Sequence, residues 1–145
     1  MELTPSKPAM MLVIDLDNFK HINDTFGHAY GDAVLRLMGE CIRSNFREDD
    51  YKGRFGGDEF VVFLPGIDDK QQVVTYVNNL VEMMKAHVRT PESANPVHGS
   101  IGIALYPKHA STYEELFKKA DEALYASKER GKDRYTFYIS KEVLK

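Results

Sequence analysis

A short apolar run that ends in an acidic residue constrains the fold of this chain more than any other feature. Residues 9–14 read Ala-Met-Met-Leu-Val-Ile, and Asp15 follows directly. The run is too short for a stable helix, and its lack of alternation is typical of a strand that is buried on both faces. The sequence therefore predicts a central strand in a layered α/β sheet, with an acidic group at its carboxyl end.

Apolar residues at helical spacing predict four helices along the rest of the chain. A short helix carries Phe19, Ile22 and Phe26 and ends at Gly27, because glycine favours the backbone conformation that terminates helices. The other apolar stripes predict helices over residues 31–46, across Val73 to Val88, and from Tyr113 to a stop near Gly131.

Short segments rich in β-branched and aromatic residues predict the remaining strands, at 51–55, 59–64, 101–105 and 135–139. Between the first two lies Gly56-Gly57, which suits a two-residue hairpin turn because such turns require positive φ at both central positions. In the third, bulky residues alternate with Gly102 and Ala104, so its small face invites close packing of a helix or a ligand. The order of elements predicts one sheet of about five strands, partly antiparallel and covered by helices.

Composition limits the classes to which the chain can belong. Its 145 residues fit one domain, and a single cysteine excludes a disulfide framework or a cysteine-rich zinc site. No apolar run is long enough to span a membrane, and a formal net charge of −3 argues against nucleic-acid binding through a basic face. We expect a soluble, cytoplasmic domain over residues 9–139, with a leader at 1–8 and a tail at 140–145.

Two acidic pairs are the candidates for chemistry. Asp15 and Asp17 follow the first strand, where ligand sites of open α/β sheets gather, although acidic residues at strand ends are more often turn formers. Asp58 and Glu59 follow two glycines that would let a nucleotide approach the backbone. Converging carboxylates cannot both ionise cheaply, and Mg²⁺ with oxygen ligands removes that conflict. The pattern favours metal-assisted phosphoryl chemistry.

The string Gly56-Gly-Asp-Glu-Phe60 resembles the signature of the GGDEF family of diguanylate cyclases. The resemblance covers residues 9 to 138, and it includes further segments that fall in the family's order and spacing: Asp15 to Lys20, Asn23-Asp24, Gly27-His28, Gly31-Asp32, Ser100 to Pro107 and Ala120 to Lys128.

The resemblance implies a fold like that of nucleotidyl cyclases and the polymerase palm. It implies the condensation of two GTP molecules into cyclic di-GMP, with release of two pyrophosphates. Each domain of a homodimer would hold one GTP, so that the 3′-hydroxyl of one attacks the α-phosphorus of the other. The parent protein would carry a sensor domain and could be anchored to a membrane elsewhere, while this domain itself contacts neither membrane nor nucleic acid.

The same resemblance assigns roles to individual residues. A carboxylate at Asp32 can accept hydrogen bonds from guanine N1–H and the 2-amino group, which disfavours ATP and hybrid dinucleotide products. The full set comprises Mg²⁺ or Mn²⁺ ligands Asp15, Asp58 and the Leu16 carbonyl; Asp58 and Glu59 as catalytic groups, Glu59 assisting deprotonation; guanine readers Asn23 and Asp32; Gly57 against the nucleotide; phosphate contacts Lys20, Lys128 and Lys132; and a product-binding inhibitory site of Arg47, Asp50 and Arg54.

Some features depart from the family pattern or keep a second interpretation open. Lys132 stands where many relatives have arginine, which replaces a bidentate grip by a point charge. The Leu-Thr-x-Leu-x-Asn-Arg segment that usually precedes the first strand is not found, which weakens the expectation of autonomous activity. The alternative is a catalytically silent receptor that binds cyclic di-GMP or GTP and acts through protein partners.

Overall fold

A computed structural model describes residues 7–88 and 97–139 of the chain. Most of the predicted leader, the loop between Pro91 and Pro96, and the tail at 140–145 lie outside these ranges. The elements are β1 (Ala9–Leu16), α1 (Phe19–Phe26), α2 (His28–Asn45), β2 (Tyr51–Arg54), β3 (Glu59–Pro65), α3 (Lys70–His87), β4 (Gly99–Tyr106), α4 (Tyr113–Glu129) and β5 (Arg134–Phe137). None of these helices is long and apolar enough to cross a membrane.

The five strands form one mixed sheet in the order β2-β3-β1-β4-β5. β1 is central and runs antiparallel to both β3 and β4, and every one of its residues is buried. β5 is parallel to β4, as the intervening helix α4 requires. The prediction of a fully buried central strand is confirmed.

Alternate residues of β1 enter two separate cores, which explains the unbroken apolar run. Met10, Leu12 and Ile14 belong to the core beneath α1, α2 and α3, whereas Met11 and Val13 belong to the core beneath α4. Burial of a side chain of this size contributes about 1.5–3 kcal/mol. The sheet is therefore a middle layer, and β1 carries its terminal acid between the two helical layers.

The small face of β4 fits helix α4 closely. A Cβ atom on Gly102 would collide with the carbonyl of Ala120 and the amide of Leu124, both in the backbone of α4. The glycine thus lets the helix approach the sheet to backbone contact, which confirms the predicted close packing. This contact fixes the position of the end of α4, where Lys128 lies.

Several predicted boundaries are wrong in detail, including those of β2, α3 and β4, which differ by one to three residues. β1 extends to Leu16, because the Leu16 N–H bonds the carbonyl of Asp58. α2 begins at His28 rather than at residue 31, since Gly27, with φ of 91°, ends α1 and starts α2 at once. The β2–β3 turn has three residues, not two, because the Phe55 N–H bonds the Glu59 carbonyl. β5 covers residues 134–137 rather than 135–139.

Candidate active site

The carboxyl end of β1 lies beside the β2–β3 turn. In the β1–β3 ladder Asp15 is opposite Glu59, and the Leu16 N–H donates to the Asp58 carbonyl at 3.3 Å. The turn is possible because Gly56 and Gly57 both have positive φ, 66° and 46°, which side chains rarely adopt. The pairing brings the acid that ends β1 next to the first acid after the glycines.

Asp15 is buried, with 7% of its surface exposed, and its environment disfavours a charge. Burial raises the pKa of Asp15 to about 7, with a further contribution from the adjacent Asp58 carboxylate and an opposing one from Lys128. The influence of Asp58 shows that the two carboxylates share one environment. Asp15 Oδ1 is buried and receives no hydrogen bond from any residue that the structure describes.

Lys128, in the last turn of α4, reaches the other oxygen of the same carboxylate. Its Nζ forms an ion pair and hydrogen bond with Asp15 Oδ2. Burial would lower the pKa of Lys128, but the hydrogen bond and charge of Asp15, with the charges of Asp58 and Asp17, raise it overall. The ammonium group thus compensates part of the negative charge that the two carboxylates concentrate here.

The donor set at this position fits a divalent cation bound by few protein ligands. Among the described residues no cluster of three or more His, Cys, Asp or Glu side chains surrounds one point. Two carboxylates do converge, however, and one buried oxygen lacks any donor. A hard cation would satisfy that oxygen and remove the repulsion, and Mg²⁺ commonly binds through one or two carboxylates while retaining waters and substrate phosphates.

Glu59 lies at the start of β3, next to this pair. Burial raises the pKa of its carboxyl group, the negative charges of Asp121 and Asp58 add to the shift, and Lys128 opposes it. A carboxylate with a raised pKa is a stronger proton acceptor than an exposed one. Glu59 therefore lies beside the carboxylate pair with a carboxyl group that holds a proton more readily than an exposed one.

Asp17 has a structural role, as the turn-forming interpretation predicts. It accepts hydrogen bonds from Ser100 Oγ at 2.6 Å and from the Asp133 N–H at 2.9 Å. These bonds tie the end of β1 to β4 and to the loop after α4. In the same region Lys132 Nζ donates to Asn18 Oδ1 at 3.0 Å.

Asn18 is the residue at this site that sequence reasoning missed. It has φ of 59°, a left-handed conformation that asparagine tolerates better than most residues. An asparagine directly after the Asp15-Leu-Asp17 turn was the available signal. Its contact holds Lys132 near the end of β1, whereas Lys20 lies exposed in the first turn of α1 with no polar partner in the described chain.

The predicted guanine readers flank the junction of α1 and α2. A Cβ on Gly31 would collide with the Asn23 side chain, so this glycine makes room for the carboxamide. Asp32 lines a cavity of about 470 Å³ between α2 and the β2–β3 hairpin, together with Leu35 and Phe60. A carboxylate at the mouth of a partly apolar cavity suits a planar heterocycle with hydrogen-bond donors on one edge.

Arg47 and Asp50 form a closed pair at the far end of the hairpin. Arg47 Nη2 and Nε donate to Asp50 Oδ1 at 2.7 and 3.0 Å, and Nη2 also donates to the Pro65 carbonyl at 2.8 Å. The hydrogen bond to Asp50 raises the pKa of Arg47. Arg54 is not brought together with them: its Nε donates to the Gly57 carbonyl at 2.8 Å, at the other end of β2.

The mixed five-stranded sheet with four helices, and carboxylates at the end of its central strand, defines an α+β domain of the palm-like cyclase fold. Residues 2–134 match the family model described as "Diguanylate cyclase, GGDEF domain". The chain belongs to the GGDEF domain family.

Relatives of established name agree with this assignment. The diguanylate cyclase DosC of Escherichia coli K12 is 40% identical over 129 residues, which cover 88% of this chain and 28% of DosC. The chain therefore spans under a third of that relative's length.

Solved GGDEF domains share the fold. The GGDEF domain of TpbB (YfiN) from Pseudomonas aeruginosa has a TM-score of 0.85 at 36% identity, covering 92% of this chain and 84% of that one. The GGDEF domain of DgcB from Caulobacter crescentus, solved in complex with c-di-GMP, has a TM-score of 0.80 at 28% identity, covering 92% and 80%.

Proposed function

We propose that this chain is a diguanylate cyclase domain that condenses two GTP molecules into cyclic di-GMP and two pyrophosphates. The observation that carries the proposal is the buried Asp15 oxygen without a donor, beside Asp58 and close to the hairpin that borders the Asp32 cavity. A pair of carboxylates that would bind a cation, next to a cavity large enough for a nucleobase, suits a nucleoside triphosphate. Family membership supports the same reaction.

Recognition of the base begins at the junction of α1 and α2. Asp32 accepts hydrogen bonds from guanine N1–H and the 2-amino group, and the Asn23 carboxamide contacts the same base. Adenine lacks these two donors, so ATP would leave the Asp32 carboxylate unpaired. A site built to bond a donor can reject an analogue without it by as much as 10⁴-fold.

The triphosphate extends towards the end of β1, along the Gly57 backbone. Lys20, Lys128 and Lys132 bind its oxygens, and Lys128 leaves Asp15 to do so. Asp15, Asp58 and the Leu16 carbonyl would hold Mg²⁺ or Mn²⁺, which would neutralise charge on the α-phosphate and on the departing pyrophosphate. The loss of the Lys128 ion pair is then offset by the metal at Asp15.

The chemical step joins two nucleotides held by two copies of the domain. Glu59 accepts the proton of the 3′-hydroxyl, directly or through water. The 3′-oxygen then bonds to the α-phosphorus of the facing GTP while the bond to the bridging oxygen breaks and pyrophosphate leaves. A second such step closes the ring. Proximity of the two substrates supplies most of the acceleration, since each brings its own leaving group.

Incubation of the domain with GTP and Mg²⁺ at high protein concentration, preferably as a fusion to a dimerising helix, tests the reaction. Each pair of GTP molecules consumed should yield one cyclic di-GMP and two pyrophosphates. Asp58→Asn should abolish turnover with the fold retained, and the exposed Asp24→Asn should not change it. Absence of product from the fused, folded wild-type domain would overturn the proposal.

We propose further that Arg47 and Asp50 bind the product and inhibit the enzyme. An arginine can stack on guanine and donate to phosphate, and a carboxylate can accept from the guanine edge. Their mutual ion pair, with the hydrogen bond from Arg47 to the Pro65 carbonyl at the end of β3, holds both groups in place. Because Arg54 bonds the glycine turn, we confine this site to Arg47 and Asp50.

A silent receptor is the second candidate. The GGDEF domain of DgcB was solved in complex with c-di-GMP, which supports a role of this chain in binding the same dinucleotide. A titration that shows cyclic di-GMP binding, together with no product from the fused domain, would favour this reading. Partner proteins would then transmit the signal.

The proposal extends to the parent protein. We place the domain in the cytoplasm, where GTP is available, and expect a sensor domain in the parent protein, since the chain spans 28% of the related cyclase DosC. Truncation to residues 9–139 should leave nucleotide binding intact, because the elements of the site lie between β1 and the loop after α4.

A further inference from the structure

The cavity along α2 is lined by Arg36, a charged residue that has no role in the proposed reaction. Asp32 and Arg36 both line it from α2, opposite Phe60 of β3 and Arg54 of β2. Gly39 opens its wall, since a Cβ there would be 4.0 Å from the Phe60 ring. The cavity therefore continues from the Asp32 carboxylate along the helix towards a guanidinium group one turn away.

The Arg36 guanidinium group donates no hydrogen bond to the residues at 7–88 and 97–139. An aspartate and an arginine four residues apart on a helix usually face each other and form an ion pair. Within the described chain Asp32 and Arg36 form no hydrogen bond or ion pair with each other or with another residue. Both side chains instead border the open cavity, where Asp32 is an acceptor and the Arg36 guanidinium group offers five donors. Residues at this spacing on a helix have Cβ atoms about 5–6 Å apart.

Guanine presents a matching pair of edges. Its N1–H and 2-amino group are donors, and its O6 and N7 are acceptors on the adjoining edge. Asp32 satisfies only the donors. Burying a base with O6 and N7 unpaired would cost affinity, because a buried acceptor without a donor loses its bonds to water. An arginine fork is the group that most often binds O6 and N7 together.

We propose that Arg36 binds the O6/N7 edge of the guanine whose N1–H edge binds Asp32. The inference rests on the proposed guanine site and adds to it a second specificity-determining residue. Two residues on one face of α2 then select guanine. Asp32 rejects bases that lack the two donors, and Arg36 rejects bases that lack the two acceptors. Their i, i+4 spacing on α2 sets the distance between the two side chains.

Arg43 provides a matched control. It lies on the same helix and lines the same cavity, but two turns beyond Arg36, and its Nη1 folds back to 3.4 Å from the Cβ position of Gly39. General attraction of an anionic nucleotide by positive charge would be weakened alike by loss of Arg36 or of Arg43. Recognition of N7 would be lost only with Arg36.

The experiment measures equilibrium binding of three nucleoside diphosphates, GDP, 7-deaza-GDP and IDP, to the full chain in the presence of Mg²⁺. Diphosphates are used because they have no pyrophosphate leaving group. The 7-deaza analogue has C–H in place of N7, and IDP lacks the 2-amino group. Wild type should bind GDP roughly tenfold more tightly than 7-deaza-GDP. In Arg36→Gln that ratio should fall to near one while the GDP/IDP ratio is kept, and Arg43→Gln should keep both ratios.

The outcomes separate this inference from the proposed function. In folded Arg36→Gln, an unchanged ratio of GDP affinity to 7-deaza-GDP affinity would overturn the inference, even if both affinities fall. Failure of wild type to bind any guanine nucleotide would remove the guanine site and the inference with it. Formation of cyclic di-GMP from GTP, measured separately, reports on the proposed reaction and does not depend on the N7 ratio.

Discussion

At the scale of single residues, the environment of Asp15 disfavours a charged carboxylate in the free domain and suits a carboxylate that binds a cation. Burial first, and then the Asp58 carboxylate, raise its pKa from an ordinary 3.8 to about 7. A raised folded-state pKa means that the folded protein retains the proton more tightly than the unfolded chain. The stabilisation is complete below about pH 4 and is lost as the pH rises through about 7.

Asp15→Asn should therefore stabilise the metal-free domain at high pH, because the amide cannot ionise. We expect its melting temperature in a chelating buffer to rise by roughly 5 °C at pH 8 and to change little at pH 4. Thermal unfolding at the two pH values measures this, with Asp24→Asn as the exposed control. A lower melting temperature for Asp15→Asn at pH 8 would contradict the expected environment of Asp15.

Asp50, in the proposed inhibitory site, and the neighbouring Asp49 provide a matched pair. Asp50 is 4% exposed and bonds both the Arg47 N–H and its guanidinium group, whereas Asp49 is exposed. Asp50→Asn should cost about 2 kcal/mol in free energy of unfolding and weaken inhibition by cyclic di-GMP. Asp49→Asn should do neither. Urea unfolding and an inhibition curve test this, and unchanged inhibition in folded Asp50→Asn would remove the assignment.

Some of these residue-level features could be read from the sequence and others could not. The approach of Asp15 and Asp58 follows from where their elements end, so the pattern predicted it. The Lys128–Asp15 contact joins residues 113 apart, and it depends on how closely α4 packs on the sheet. The direction of Arg54 depends on its side-chain conformation, which its position before the glycines does not determine.

At the scale of elements, the order of strands and helices was predictable because each has a clear hydrophobic period. The errors are at boundaries where backbone hydrogen bonds decide. Gly27 ends one helix and begins the next, and the turn after Phe55 has three residues because the Phe55 N–H bonds the Glu59 carbonyl. Periodicity does not report these local bonds, and glycine alone predicts only that a turn or a helix end is near.

The contact between α4 and β4 gives a test at the element scale. Gly102→Ala would place a methyl group against the backbone of α4, so we expect a loss of about 3 kcal/mol or more in free energy of unfolding. Gly39→Ala, within α2, would place its methyl group 3.4 Å from the end of the Arg43 side chain and 4.0 Å from the Phe60 ring, which is ordinary contact, and should gain up to about 1 kcal/mol. Urea unfolding distinguishes them, and a neutral Gly102→Ala would contradict the close packing.

At the scale of the whole molecule, one chain holds one set of candidate site residues, while the proposed reaction consumes two nucleotides. The rate per chain should therefore rise with protein concentration until dimers predominate. Product formation at fixed GTP over a hundredfold range of protein concentration measures this. A rate per chain that stays constant over a range in which sedimentation shows only monomers would contradict the two-domain reaction.

The most direct test of the central claim, that Asp15 and Asp58 hold one divalent cation, is paramagnetic broadening by sub-stoichiometric Mn²⁺ in amide NMR spectra of the full chain. Broadening should begin at the amides of Leu16, Gly57 and Asp58. It should be lost in Asp15→Asn and in Asp58→Asn and retained in Asp24→Asn. Broadening centred elsewhere, or unaffected by both site variants, would contradict the shared cation.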